Sequence, residues 1–217
     1  MRSFKNILFL IALAISWLVH PAAQATEFEL SPPQVKLWLN AAVRINPEAT
    51  RVPTKWHFHV FMPNLVQPSG RAPWFYTGPS WQVNNQFNIE LVGGMGTGIG
   101  DDTRGVAPVL GTWFTWTPPK GWVVWSALEW WGMAENQTLF SLVVARKQVR
   151  ESPVSLGIEH WAIMPLASPG STTLLGGPNI QLKLGDHFGV RATLMAQHTM
   201  SSDTWGIGPS AFLFCNL

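Results

Sequence analysis

The sequence has little charge and almost no cysteine. Lys and Arg together number 14 and Asp and Glu 12, so charged residues make up 12% of the chain, where about 25% is usual for soluble domains. The net charge is +2, and no basic cluster interleaves with aromatic residues as it does in nucleic-acid-binding grooves. The single cysteine, Cys215, excludes an internal disulfide framework. The composition therefore argues against nucleic acid as a partner and against a disulfide-stabilised domain.

Only one hydrophobic run is long, and it lies near the N-terminus. Arg2 and Lys5 precede an apolar stretch over residues 7–19, which is shorter than the roughly 20 residues that a membrane-spanning helix needs. Residues 23–25, Ala-Gln-Ala, form a small-x-small cleavage site. This pattern predicts an export signal over residues 1–25 that is cleaved from the mature protein.

The rest of the chain consists of short segments in which apolar and polar residues alternate. Residues 87–91 and 179–184 alternate strictly, and residues 188–195 follow the same period. In the segment 205–217 the odd-numbered positions are apolar through to the end. A period of two predicts β-strands. No linker or charge block divides these segments, so they predict one all-β domain.

Connections of two lengths separate the predicted strands. Short ones (84–85, 118–121, 150–153 and 185–186) alternate with longer, more polar ones (98–105, 134–137, 166–177 and 200–204). Short turns on one rim and longer loops on the other are typical of bacterial outer-membrane barrels. The dipeptides Gly78-Pro79, Gly177-Pro178 and Gly208-Pro209 each enter a strand that would run toward the short-turn rim. The 13 tryptophans against one tyrosine also favour aromatic girdles at membrane interfaces.

The segment of residues 31–46 fits two structures. As a strand, its apolar residues alternate. As a helix, residues 31–34 form a capping box with proline at the first position, and the polar side chains recur at i, i+4 and i+8. If the C-terminus lies on the short-turn rim, counting strands backward from it makes residues 56–62 the first of ten strands. Ten is an even number of strands, as is usual for bacterial outer-membrane barrels. We therefore prefer an N-terminal amphipathic helix before ten strands; twelve strands, including one from residues 26–30, is the alternative.

The export signal, alternating strands, turn asymmetry and apolar terminal alternation together resemble small, monomeric outer-membrane β-barrel proteins of Gram-negative bacteria. The chain departs from that family in ending with Leu217 where Phe or Trp is usual. The resemblance implies a transmembrane, antiparallel up-and-down barrel over residues 56–217, after an N-terminal segment over residues 26–55. It also implies a monomer in the outer membrane, with membrane lipid, lipopolysaccharide and the barrel assembly machinery as partners.

The faces opposite the apolar ones would point into the barrel lumen. Eight charged or imidazole side chains lie on those faces: His57, His59, Glu90, Glu129, Arg146, Glu159, Lys183 and Arg191. Both signs of charge are present, so we expect a polar network of salt bridges and hydrogen bonds filling the lumen, as small barrels need. We expect no cofactor.

One sequence pattern occurs twice in this set. Residues 127–131 and 157–161 share the order small, aliphatic, Glu, any residue, Trp, and they lie one hairpin apart. Glu129 and Glu159 would therefore lie on strands of the same direction, flanking Arg146 on the intervening strand. This arrangement suggests a buried charge triad. Paired carboxylates also act as acid and base in glycoside cleavage, but the sequence does not set their separation.

His57 and His59 lie on one face of a predicted strand, an arrangement that can chelate a metal ion with Glu90, Glu129 or Glu159 as a third ligand. Sequence cannot show which carboxylate lies nearby. Because histidine pairs at this spacing commonly serve as polar filler, we predict no metal here.

Two families of lipid A-modifying enzymes provide alternatives. A helix followed by a strand carrying His57 resembles the lipid A palmitoyltransferase, in which a histidine at the barrel rim is catalytic, but the adjacent Asp-Ser pair of that family is missing. His198 and Ser201 resemble the lipid A deacylase, although a spacing of three puts them on opposite faces of a strand. Asp203 and Glu135 are candidate partners for a histidine-activated serine.

The sequence thus predicts an outer-membrane β-barrel with a structural or narrow solute-path role and without assigned catalytic residues. The alternatives are a lipid A acyltransferase or deacylase and a soluble, periplasmic, lipocalin-like binder. Neither the solute nor the openness of the lumen can be inferred from the sequence.

Overall fold

The computed structural model describes residues 27–45, 54–63, 65, 73–97, 106–132 and 137–217. The predicted export signal and most of the predicted loops 98–105 and 134–137 lie outside the described residues. Within the described part, the one helical segment is a short 3-10 turn, Pro169–Ser171. No helix among these residues has the length and hydropathy needed to cross a membrane.

Twelve strands make up most of the described chain. They are β1 (Glu27–Leu30), β2 (Gln34–Arg44), β3 (Thr54–Met62), β4 (Trp74–Asn84), β5 (Phe87–Thr97), β6 (Val106–Trp116), β7 (Trp122–Gly132), β8 (Gln137–Gln148), β9 (Val154–Pro165), β10 (Thr173–Lys183), β11 (Phe188–Thr199) and β12 (Thr204–Asn216). From β2 to β12 each strand pairs antiparallel with the next. β12 then pairs in parallel with β2, which closes the sheet into a ring of eleven strands.

The parallel closure follows from the odd strand number, because the first and last strands of such a ring run in the same direction. β11 occupies one edge of β12, so β1 and β2 both pair with the other edge. Residues 27–30 pair with 204–207, and residues 34–40 pair with 210–216. Pro32 and Pro33, which have no N–H to donate, separate β1 from β2. The ring therefore has neither the ten nor the twelve strands that the sequence suggested.

The predicted amphipathic helix over residues 31–46 is wrong, because residues 34–44 form strand β2. This strand pairs along eight positions with β3 and along seven with β12. A helix there would satisfy its own backbone but would leave the edges of β3 and β12 without partners, a state that barrels avoid by closing. The long-range pairing therefore overrides the local capping signal.

The two faces of the ring differ in burial and chemistry. Inward positions are buried, as in the alternation of β4 and β8. Outward positions expose at least one large apolar side chain on each of nine consecutive strands, β3 to β11, among them Phe58, Phe75, Leu91, Leu110, Leu128, Val143, Ile158, Ile180 and Leu194. The structure therefore confirms the closed all-β barrel, and its outer surface is apolar.

The two rims of the barrel hold different connections. One rim, the hairpin rim, holds the tight connections 85–86, 117–121, 149–153 and 184–187 together with the C-terminal end of β12. The opposite rim, the loop rim, holds the connections that follow β3, β5, β7, β9 and β11. The C-terminus therefore lies on the short-turn rim, as predicted.

The three Gly-Pro dipeptides lie in β4, β10 and β12, which all run toward the hairpin rim, as predicted. At Gly177 the backbones of β10 and β11 come unusually close. A Cβ on Gly177 would lie 1.8 Å from the backbone oxygen of Leu194, and the next residue, Pro178, has no N–H for the ladder. Glycine is therefore required at this point of the sheet.

Gly177→Ala should lower the free energy of unfolding by about 1–3 kcal/mol, because the added methyl group forces the two strands apart. Urea unfolding followed by tryptophan fluorescence measures the change. Gly170→Ala is the matched control, since a Cβ there would meet nothing within 4 Å. Equal stability of the two variants would show that β10 and β11 do not approach each other as described.

Candidate functional site

All eight predicted lumen residues lie on inward-facing strand positions. His59, Glu90, Glu129, Glu159 and Arg191 are buried, and His57 and Arg146 are partly buried. Lys183 lies at the end of β10, where 57% of its side chain is exposed and its Nζ lies 3.6 Å from Asp186. The lumen thus contains seven of the eight side chains.

Glu129 is surrounded by neutral hydrogen-bond donors. The indole nitrogens of Trp113 and Trp131 donate to its two carboxylate oxygens over 2.7 and 2.8 Å. The Tyr76 hydroxyl donates over a longer 3.4 Å. On the neighbouring strand Gly111 leaves room for this carboxylate, since a Cβ there would lie 2.8 Å from its Cγ. Glu129 therefore joins β4, β6 and β7 inside the lumen.

Glu159 forms a buried ion pair in the lumen with Arg191. Its Oε2 lies 2.9 Å from Nε of Arg191 and accepts a hydrogen bond of 3.2 Å from Thr193. Its Oε1 accepts a hydrogen bond of 2.5 Å from the Trp161 indole. Lys36 of β2 places its Nζ 4.0 Å from the centre of the Trp161 ring, a cation–π contact. This group connects β2, β9 and β11.

The repeated Glu-x-Trp pattern has the same local geometry in both copies. In each, the indole two residues after the glutamate donates to its carboxylate, because residues two apart lie on the same face of a strand. The sequence predicts charged partners for both glutamates, whereas the structure also provides neutral indole donors. The sequence signal for these contacts is a tryptophan two residues after a glutamate on the same strand, since both side chains then lie on one face.

The carboxylates do not meet around Arg146. Glu129 pairs in register with Phe140 of β8, six residues before Arg146, which corresponds to about 20 Å along a strand. Glu159 forms its salt bridge with Arg191 on β11 instead. The suggested triad is therefore not what the described structure contains.

His57, His59 and Glu90 form a third group. His59 Nε2 lies 2.5 Å from Glu90 Oε1, and the two imidazole rings are stacked with centres 5.5 Å apart. His57 Nδ1 lies 3.2 Å from Oδ1 of Asn40, and its Nε2 lies 2.9 Å from Oγ of Ser80. Of the three carboxylates considered as partners for the histidines, the structure brings Glu90 to them.

Aromatic rings fill much of the remaining lumen. Six tryptophans occupy inward-facing positions: Trp38, Trp74, Trp113, Trp125, Trp131 and Trp161. The ring of Trp38 in β2 lies 5.2 Å from that of Trp113 in β6 and 6.3 Å from that of Trp125 in β7. These rings reach across the lumen, so only part of the tryptophan content is available for an outer girdle.

Two cavities among the described residues are lined by lumen side chains. The first, of about 230 Å³, is lined by aromatic rings and by Arg146, Gln181 and Arg191, and the Arg146 guanidinium donates to Gln181. The second, also of about 230 Å³, lies at the hairpin rim and is lined by His57, Ser80 and several amide side chains. Each could hold a small molecule or several waters.

The residues considered for lipid A chemistry are separated. His57 lies inside the barrel, hydrogen-bonded as described above. His198 lies near the loop rim, with Nε2 3.1 Å from Asp203 Oδ1 and its ring stacked 4.3 Å from that of Trp205. Within the described part of the chain, no hydrogen bond joins His198 to Ser201. Glu135 lies outside the described residues.

No protein-family model matches the chain, and comparison with curated proteins and with solved structures gave no match. The role of the lumen must therefore be inferred from its own chemistry.

Proposed function

We propose that the protein is an outer-membrane β-barrel that crosses the bilayer, with a lumen that serves as a structural plug or a narrow solute path rather than an open pore. The observation that carries this proposal is the sidedness of the strands. Large apolar side chains are exposed on nine consecutive strands, while Lys36, Glu90, Glu129, Glu159 and Arg191 are buried inside. Exposing apolar surface to water costs about 25 cal/mol per Å², and contact with lipid removes that cost.

The reverse arrangement is expected of a soluble, lipocalin-like binder. Such a barrel keeps a polar outer face and encloses an apolar pocket that holds its ligand. Here the buried ion pair of Glu159 and Arg191 and the buried Glu129 occupy the interior. This distribution supports a membrane barrel over a water-soluble one.

The filled lumen supports a narrow path. Trp38 contacts rings from β3, β4, β6, β7 and β12, so one indole bridges several sides of the interior. Water-filled channels are found in barrels of 16–18 strands, whereas barrels of about eight are filled by their own side chains. In the eleven-stranded ring described here, the two cavities lined by lumen side chains measure about 230 Å³ each.

Fractionation and bilayer conductance test the proposal. The mature chain should require detergent for extraction, and in planar bilayers it should conduct far less than an open porin. Trp38→Ala should raise the conductance because it removes the ring at the centre of the lumen contacts. Trp116→Ala, at an exposed outward position, should not raise it.

Two results would overturn different parts of the proposal. A mature chain that remains folded and monodisperse in detergent-free buffer would exclude the membrane-spanning barrel. A large conductance of the unmodified protein would exclude the filled lumen but would leave the membrane barrel intact.

A further inference from the structure

The group of His57, His59 and Glu90 has the composition and geometry of a metal site. Their ligand atoms all lie within 4.8 Å of one another. His59 and Glu90 are buried, and His57 is partly buried. We propose that these three side chains bind one divalent transition-metal ion, with Zn²⁺ as the best fit. This inference does not depend on whether the barrel crosses a membrane.

The fold brings the three ligands together across one strand. His57 and His59 lie two residues apart on β3 and therefore share its inward face. Glu90 lies on β5, and β4 runs between them. Gly78 of β4, which pairs with His57, has no side chain to separate the histidines from the carboxylate. Side chains of β3 and β5 can therefore meet over it.

Hydrogen bonding fixes His57 in the tautomer that leaves Nε2 free to bind a metal ion. Oδ1 of Asn40, 3.2 Å from Nδ1 of His57, can only accept a hydrogen bond, so Nδ1 carries the proton. The Asn40 amide is itself oriented by the hydrogen bond that its Nδ2 donates to Asn216 over 3.2 Å. The lone pair of His57 then lies on Nε2, the atom on the Ser80 side. Metal-binding histidines are commonly oriented by such a partner on the second ring nitrogen.

The buried pair of His59 and Glu90 supplies the other two ligand atoms. Nε2 of His59 and Oε1 of Glu90 lie 2.5 Å apart in a hydrogen bond, and a metal ion would replace the hydrogen-bonding proton, which passes to solvent. Tetrahedral zinc with bonds of about 2.0–2.1 Å places its ligand atoms roughly 3.3 Å apart. The present ligand atoms lie within 4.8 Å of one another, and metal binding requires the two stacked imidazoles to rotate toward a common point.

The second cavity gives the site an entrance and a fourth ligand position. It lies at the hairpin rim and is lined by Lys55, His57 and Ser80, so an ion can reach His57 from that side. A water molecule in the cavity or the Ser80 hydroxyl can complete the coordination. Two imidazoles and one carboxylate suit Zn²⁺, Co²⁺ or Cu²⁺, whereas Mg²⁺ and Ca²⁺ prefer oxygen ligands alone.

Isothermal titration of the full-length mature protein, chelator-treated and without a histidine tag, tests the site. We expect one Zn²⁺ per chain and no heat from Mg²⁺ at the same concentration. His57→Ala should weaken zinc binding at least tenfold, and Glu90→Gln should do the same. Co²⁺ should give the visible absorption bands of a four-coordinate ion, and these bands should be lost in His57→Ala.

Two histidines elsewhere provide matched controls. His160→Ala removes an exposed histidine on an outward position of β9, and His198→Ala removes the histidine that has its own carboxylate partner, Asp203. Neither should change the zinc affinity. If His57→Ala fails to fold by tryptophan fluorescence, His57→Gln replaces it. Absence of zinc binding, or binding unchanged by loss of either His57 or Glu90, would overturn the proposal.

Discussion

Arg191→Ala should lower the free energy of unfolding by about 3–5 kcal/mol, the cost of breaking a buried ion pair by removing one partner. Arg191 is 6% exposed and Glu159 is 4% exposed, so the substitution leaves a buried carboxylate without its cation. The carboxylate would keep only the neutral donors Trp161 and Thr193. Urea unfolding in detergent micelles, followed by tryptophan fluorescence, measures the loss.

An exposed ion pair of the same barrel serves as the control. Lys183 and Asp186 lie 3.6 Å apart with side chains 57% and 92% exposed, and exposed pairs contribute about 0–1 kcal/mol. Lys183→Ala should therefore change stability by no more than that. The double variant Glu159→Gln with Arg191→Met should recover much of the loss, since no unpaired charge remains buried. Similar losses for Arg191→Ala and Lys183→Ala would contradict the burial of the Glu159 pair.

Strand faces could be predicted from the sequence because period-two alternation fixes them locally. Each of the eight predicted lumen residues lies on an inward position, and in segment 205–217 the even-numbered residues, including Phe212 and Phe214, face the lumen. The Glu-x-Trp contact follows from the same rule, since Trp131 lies two residues after Glu129 on one face. Local periodicity therefore predicts which side chains enter the barrel.

The height of a side chain along the barrel could not be predicted, because it depends on register. The strand of Arg146 lies between the strands of Glu129 and Glu159. Because Glu129 pairs with Phe140, however, Arg146 lies six residues further along β8 than Glu129's partner. Arg191, two strands from Glu159, is four residues out of register with it, yet its Nε lies 2.9 Å from the Glu159 carboxylate. The contact between Glu90 and His59 depends in the same way on the registers of β3, β4 and β5.

The number of strands in the ring could not be predicted, because it depends on one ambiguous segment and one long-range pairing. Residues 34–44 satisfy both a helical and a strand pattern, and the parity rule used to decide between them assumed an even ring. The parallel pairing of β12 with β2 has no local sequence signal. The inward tryptophans were misjudged for a related reason: where both faces of a strand are apolar, as in residues 109–116, alternation does not show which face is inside.

Leu128→Arg should lower the free energy of unfolding in lipid vesicles by about 2–4 kcal/mol, the cost of a cationic side chain at the middle of a membrane barrel. Leu128 is 47% exposed and lies midway along β7 (Trp122–Gly132). Its side chain points outward, so the substitution leaves the lumen contacts unchanged. The loss would therefore come from contact between arginine and hydrocarbon.

The stability cost of an outward arginine depends on its depth in a bilayer, but not in water. Comparing two positions therefore shows whether lipid or water surrounds the outer face. Leu184, 58% exposed, follows the end of β10 at the hairpin rim, where an arginine costs about 0–1 kcal/mol because it reaches the interface. In water, both substitutions would replace an exposed leucine and change stability within about 0.5 kcal/mol. A large loss for Leu128→Arg and a small one for Leu184→Arg is thus expected only if lipid surrounds the middle of the barrel, and equal small changes would contradict the membrane-spanning proposal.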